Sequence, residues 1–575
     1  MRLLRLARAW LLPTGAKYPR LTHNLSAAVM FAALVSLILL TEDNIRDFAF
    51  ALAVTMAAVG GIMLMTRRLL ISLTSALLIA VGIIGVSRIK ADILNIQLHS
   101  YDIYLFLLSW ENLKYLSTLA PRHVLALAVF AAGSIASLSA MARIDRIQSH
   151  RGLAVVVLCG SLALALLARN LHIFPNFQLG VTAGGYLSAF YLSWGQTLHA
   201  LRHGQVLAAA PRGSVEKEKF RLPESCEGTA ARTRPNIILI HQESMVPPSF
   251  YANLAYDRSL DRHFESDDGR LRRLRVETYV GGSWLTQLSV LTGMSTRMFG
   301  DMRFYLLNFL RGKINESLPQ QMKLCGYRTT FQTVGPGSLL FANFFKSIGF
   351  DDFYDRKSQG TDRFAERDAF YYGKYLSLFR QHRLSSDKPM FTMIETIATH
   401  WPYDKPFMPE VSVAGGGPGT HPEVHEYLRR MSLAAIDFER FMDDLRAAFP
   451  GEAFLVVSYG DHRPHVNRYL QADIETQLAT FIRRPISFDS DAYVTYYSVR
   501  SLNYKSPALP DYDTLDVPYL PVVIAQISGL PLSDASRARA ELMRHCNGIF
   551  ADCPDKQAIL AFHRRLLDSG IVLGN

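Results

Sequence analysis

Charge is scarce in this chain. Only 19% of its 575 residues are Asp, Glu, Lys or Arg, while 49% are hydrophobic. An ordinary soluble protein carries about 25% charge. This excludes a disordered chain, whose composition would be the reverse. There is no internal repeat and no low-complexity tract, which excludes solenoids and fibres. Five cysteines are too few for a disulfide scaffold, and no C-x-x-C pair offers a metal knuckle. The net charge of +11 suits anionic lipid headgroups, anionic substrates or nucleic acid. Without a zinc-finger or RNA-binding aromatic signature, nucleic acid is set aside. The length implies two or three domains.

Apolar residues crowd into the first third. Five runs stand out: Asn24 to Leu40, Phe48 to Met65, Leu69 to Val86, His123 to Ala142 and Leu153 to Ala168. A bilayer-spanning helix needs about 20 mostly apolar residues. Arg2, Arg5, Arg8, Lys17 and Arg20 precede the first run, Arg67 and Arg68 follow the second, and Arg143, Arg146 and Arg151 follow the fourth. The loop after the first run, TEDNIRD, is acidic. Basic loops face the cytoplasm, so the pattern predicts a cytoplasmic N-terminus and an exported remainder. The expected division is a transmembrane anchor over residues 1–170, an interfacial segment and linker over 171–234, and an extracytoplasmic domain over 235–575. Leu179 to Leu201, with four glycines, reads as interfacial or bridging, and Tyr101 to Trp110 as an aromatic stretch along the interface. Asp555 to Asn575 reads as an amphipathic closing helix. Cys546 and Cys553 enclose a short polar loop and suit a disulfide; Cys226 with Cys325 is a second pairing left open.

The exported part alternates short apolar strands with helical patterns, which predicts an α/β fold around a buried, mostly parallel sheet. Three strands end in polar residues. Asn236 to Ile240 leads into His241, Gln242 and Glu243; Phe391 to Ile397 into His400; and Phe454 to Ser458 into Asp461 and His462. Ligands bind at the carboxyl ends of such strands. Glu243, Asp461 and His462 suit one divalent cation, Mn2+ or Zn2+. The segment GGSWLTQLSVLTG, residues 281–293, reads as a glycine turn and a helix start that would place a hydroxyl at a metal-bound anion.

The order NIILIHQES, GGSWLTQLSVLTG, ATHWPY and SYGDHRP resembles the membrane-anchored branch of the alkaline phosphatase/sulfatase superfamily. That branch holds lipoteichoic acid synthases, periplasmic glucan phosphoglycerol transferases and phosphoethanolamine transferases. The resemblance covers Pro235 to Leu530 and implies Glu243, Thr286, Asp461 and His462 as metal ligands. It implies Thr286 as nucleophile, with Ser283 as second candidate, and His400 as a catalytic and substrate-binding group. His465 is implied as a further substrate contact. The stretch from Ile89-Lys90 through Tyr101-Asp102 resembles the membrane loop of the phosphoglycerol transferases. The implied function is transfer of a phosphoglycerol headgroup from a phospholipid donor to an envelope glycan or lipid acceptor, through a phosphothreonine, at the inner membrane. The alternative headgroup is phosphoethanolamine, on lipid A or a glycan. A sulfatase would need a C/S-x-P-x-R motif, which is missing. A non-catalytic membrane scaffold would bind no metal.

Overall fold

The computed structural model describes residues 19–42, 44–94, 97–107, 114, 117, 121–147, 149–170, 185–203, 219–226, 234–335, 339–470 and 488–573. The chain divides into two compact units. The first is all helix: α1 (Pro19–Thr41), α2 (Ile45–Thr66), α3 (Leu69–Leu94), α4 (Ser100–Leu107), α5 (Pro121–Ile144), α6 (Arg151–Asn170) and α7 (Tyr186–His203). Five of these, α1, α2, α3, α5 and α6, are long and apolar enough to cross a membrane. The five runs expected to span are these helices. Asn44 caps α2, its side chain accepting from the backbone N–H groups of Arg46 and Asp47. Helices α2 and α6 approach closely at Gly60, where a Cβ would stand 2.6 Å from the backbone nitrogen of Leu158. Small residues allow such contact where no hydrophobic force acts between helices. The N-terminus of α7 is capped by Glu42, which accepts from Leu187 N at 2.9 Å and from the Ser188 hydroxyl. Residues 179–184 of the expected interfacial segment, most of the linker and Leu108 to Trp110 lie outside the described residues.

The second unit is built on one eight-stranded sheet. Its strands are β1 (Asn236–Gln242), β2 (Arg272–Arg275), β3 (Arg328–Gln332), β4 (Asp352–Tyr354), β5 (Met390–Thr396), β6 (Phe454–Gly460), β7 (Val494–Leu502) and β8 (Leu515–Asp516), in the order β4-β3-β5-β1-β6-β7-β2-β8. From β4 to β6 every pairing is parallel, and β7 runs antiparallel to both neighbours. The sheet is therefore mostly parallel, as expected. β1, β5 and β6 are buried at every position, as continuous apolar strands covered on both faces must be. One face carries α9 (Asp368–Ser385) and α10 (Pro422–Ala448), whose Tyr371, Tyr375, Phe379, Phe438 and Phe441 pack with Ile238, Ile394 and Val456 of the sheet. The closing helix spans Lys556–Asp568.

Two disulfides form in this unit, Cys546–Cys553 and Cys226–Cys325, while Cys159 is free. Phe220, just upstream of the second bridge, packs on Phe562 and lies under the Arg565 guanidinium.

Candidate active site

The site forms where β1 and β6 end together. Gln242 pairs with Gly460, so the next residues, Glu243 and Asp461, emerge side by side. Gly460 makes this possible: a Cβ there would lie 2.1 Å from the Met245 carbonyl oxygen, so only glycine lets the chain after β1 cross β6. His241 and Glu243, two apart on an extended chain, share one face. His241, Glu243 and Asp461 each offer a ligand atom, and these atoms lie within 4.8 Å of one another. All three are buried, as is His462.

Hydrogen bonds around the cluster leave its lone pairs pointing inward. Asp461 Oδ1 accepts from the backbone N–H groups of Ser244 and His462, at 2.7 and 2.8 Å. Its Oδ2 is buried and has no hydrogen-bond partner, yet lies 3.3 Å from His241 Nε2 and 3.2 Å from His462 Nε2. His462 Nδ1 donates to the Arg463 carbonyl at 2.9 Å, which leaves a lone pair on its Nε2. His241 Nδ1 meets the Tyr459 hydroxyl at 2.9 Å. Burial opposes ionisation of Asp461, but the His462 and His241 imidazoles outweigh it and hold the carboxyl well below its usual range. Burial would lower His241; the Asp461 carboxylate beside it prevails and raises it. An orphaned carboxylate oxygen facing two imidazole nitrogens and a second carboxylate is a donor set for a divalent cation.

Helix α8 (Ser283–Thr292) delivers a hydroxyl to this cluster. Its entry turn places Val280, Gly281 and Gly282 at φ 41, 110 and 77°. Two glycines adopt this freely; the β-branched Val280 is strained there, as residues beside functional sites often are. The turn sets Ser283 at the helix start, with its Oγ 3.2 Å from Glu243 Oε2 and 3.4 Å from His462 Nε2. Thr286 lies one turn further along α8. Its side chain is fully buried, and its hydroxyl donates to the Asp461 carbonyl at 2.8 Å. Ser283 thus faces the cluster, while Thr286 braces the Asp461 backbone behind it.

Two buried carboxylates fix α8. Glu277 accepts from Ser289 Oγ, Ser295 Oγ, and both the N–H and hydroxyl of Thr296. Glu395, beside His241 in register, accepts from Gln287 Nε2, Thr333 Oγ1 and Val334 N. Burial pushes both carboxyls up.

His400 follows β5. Its Nδ1 donates to the Trp401 carbonyl, leaving Nε2 free to take or give a proton. Asp368 accepts from Ile397 N and Ala398 N, at 3.2 and 3.1 Å, and so holds the loop that carries His400. His465 is pushed down to about 4 by burial and by the nearby His462, His400 and Arg468, so it is neutral at pH 7. His241, Glu277 and Glu395 were not picked out from the sequence as functional groups. Only the two-residue spacing of His241 and Glu243 at a strand end signalled the first of them.

Residues 235–495 match the family model for sulfatases. The matched segment, 261 of the 575 residues, is sulfatase-like. No curated protein is significantly similar to the chain. Solved structures similar to it include the phosphoglycerol transferase GacH of Streptococcus pyogenes, in complex with sn-glycerol-1-phosphate. It is 16% identical, with TM-score 0.45, over 60% of this chain and 88% of that one. The lipooligosaccharide phosphoethanolamine transferase A of Neisseria meningitidis is 11% identical, with TM-score 0.47, over 88% and 96%. The lipoteichoic acid synthase LtaP of Listeria monocytogenes is 16% identical, with TM-score 0.41, over 58% and 78%. Within the matched segment, the cluster of His241, Glu243 and Asp461 and the Ser283 hydroxyl lie where the central strands β1 and β6 end.

Proposed function

We propose that the protein is a metal-dependent transferase that moves a phosphoglycerol headgroup from a phospholipid to an envelope glycan, through a covalent ester on Ser283. The carrying observation is the Ser283 hydroxyl, partly exposed at a helix start and within 3.4 Å of both Glu243 and His462. His241, Glu243, Asp461 and His462 would hold one divalent cation, Mn2+ or Zn2+. Bound there, it would lower the proton affinity of a nearby hydroxyl and offset charge on phosphate oxygens.

The chain's own groups supply the rest. Glu243 Oε2 accepts the Ser283 proton. The Oγ–phosphorus bond forms as the bond to diacylglycerol breaks, and a protonated His400 gives its Nε2 proton to the leaving oxygen. An acceptor hydroxyl then attacks the phosphorus, Ser283 leaves and takes its proton back from Glu243, and His400 takes the acceptor's proton. The N–H groups at the start of α8 face the anion in both steps.

Spanning helices suit a donor that is itself a lipid, and the basic-loop pattern supports an extracytoplasmic domain on the inner membrane. The phosphoglycerol headgroup is favoured by the Ile89 to Asp102 stretch, in which Lys90 and Asp102 form a partly buried ion pair at 2.6 Å. Incubation with labelled phosphatidylglycerol or phosphatidylethanolamine, followed by peptide mass analysis, tests the reading. A glycerophosphoryl adduct on Ser283 is expected, together with stoichiometric metal and loss of turnover on chelation. An ethanolamine-phosphate adduct would replace the headgroup, and an adduct on Thr286 would reverse the assignment of the nucleophile.

A further inference from the structure

Among the described residues of the catalytic unit, three large aromatic side chains are exposed: Phe364, Trp401 and Tyr469, at 55, 45 and 40%. All three stand against histidines. Phe364 meets His400 edge to face at 5.3 Å, Trp401 lies over His465 at 5.0 Å, and Tyr469 stacks on His421 at 3.9 Å. Of these histidines, His465 lies within electrostatic reach of His462 and His400. Phe364 and Trp401 thus border the loop that carries His400, and exposed apolar rings on such a loop mark a ligand surface.

Trp401 is not exposed through looseness. Arg430 donates to the carbonyls of His400, Pro402 and Lys405, at 2.8, 2.9 and 2.9 Å, and pairs with Glu426 at 2.7 Å. The Tyr403 hydroxyl ties the same turn to the Thr399 carbonyl at 2.7 Å. The indole is thus presented on a fixed support, so little order is lost when a ligand covers it. Asp362, Arg363, Asp404 and Lys405, all exposed, interleave with the rings. Carboxylates so placed resist an anionic lipid surface. A sugar ring suits the same mixture: its C–H face matches the negative face of an aromatic ring, and its hydroxyls meet the charged groups.

We propose that Trp401 and Phe364 form the acceptor subsite and take a neutral sugar ring of a glycan beside His400. This rests on the transferase reading and assigns the side chains that hold its acceptor. The test titrates the full chain in nanodiscs with maltoheptaose, cellohexaose and laminarihexaose, by calorimetry and tryptophan quenching. At least one saccharide should bind, and Trp401→Ala and Phe364→Ala should each weaken it roughly fivefold, with Trp401→Tyr close to the parent. Metal content and melting temperature report whether each variant is folded. No binding by the parent, or equal binding by folded alanine variants, overturns the proposal. So does quenching of Trp401 by brominated acyl chains, which would make the rim a lipid contact. Phospholipid cleavage is measured on the same preparation. Saccharide binding without cleavage removes the transferase reading and leaves the subsite; cleavage without saccharide binding removes the subsite alone.

Discussion

Ser283 and Thr286 are one helical turn apart and differ in what their hydroxyls can reach. Ser283→Ala should lower transfer at least about a thousandfold, the scale seen when a nucleophile acting within a catalytic unit is removed. Thr286→Val should cost about 1 kcal/mol of stability, for one buried hydrogen bond, and leave transfer within about tenfold. Rates on labelled phosphatidylglycerol separate the two. Residues three apart share a helix face, and about 4.5 Å of rise separates them, so the pattern of the segment alone could not choose between them. The choice depends on where the helix starts, and that is set by three positive φ angles no hydropathy pattern records. Glu243, Asp461 and His462 stood out in the sequence because each follows an apolar strand. His241 was hidden because a histidine at a strand end reads equally well as a satisfied core residue.

Elements carry the next set of constraints. Gly460 ends β6 under the crossing chain, and Gly460→Ala should cost about 3 kcal/mol or more by overpacking. It should also lower metal content, measured by elemental analysis of folded protein. The N-terminus of α9 holds the His400 loop through Asp368, whose carboxyl burial and the nearby Asp437 push up from 3.8 to about 7. Between those values the folded state binds a proton the unfolded state has lost, so this residue's contribution to stability falls as pH rises through the window. Asp368→Asn carries no such dependence. Its melting temperature relative to the parent should climb from pH 4 to pH 7 and level off above. The strands and spanning helices were legible as apolar runs of the right length. The bracing of α8 by Glu277 and Glu395 was not, because each glutamate finds its partners in segments distant in sequence.

At the scale of the molecule, a helical unit with five apolar helices precedes a sulfatase-like domain. The expected split at residues 170 and 235 rested on composition alone. In the structure α7, beyond the fifth span, groups with the helical unit up to residue 198. Glu42 explains this, since it caps α7 from the end of α1. Cys226 and Cys325 close a loop of 99 residues. Replacing both by Ala should cost about 2–4 kcal/mol, read as a fall in the melting temperature of the catalytic unit.

The same bridge has a consequence for how the chain can be cut. A protease that nicks the backbone anywhere between Cys226 and Asn236 severs the peptide but not the molecule. The two pieces should migrate as one band on a non-reducing gel and part only when thiol is added.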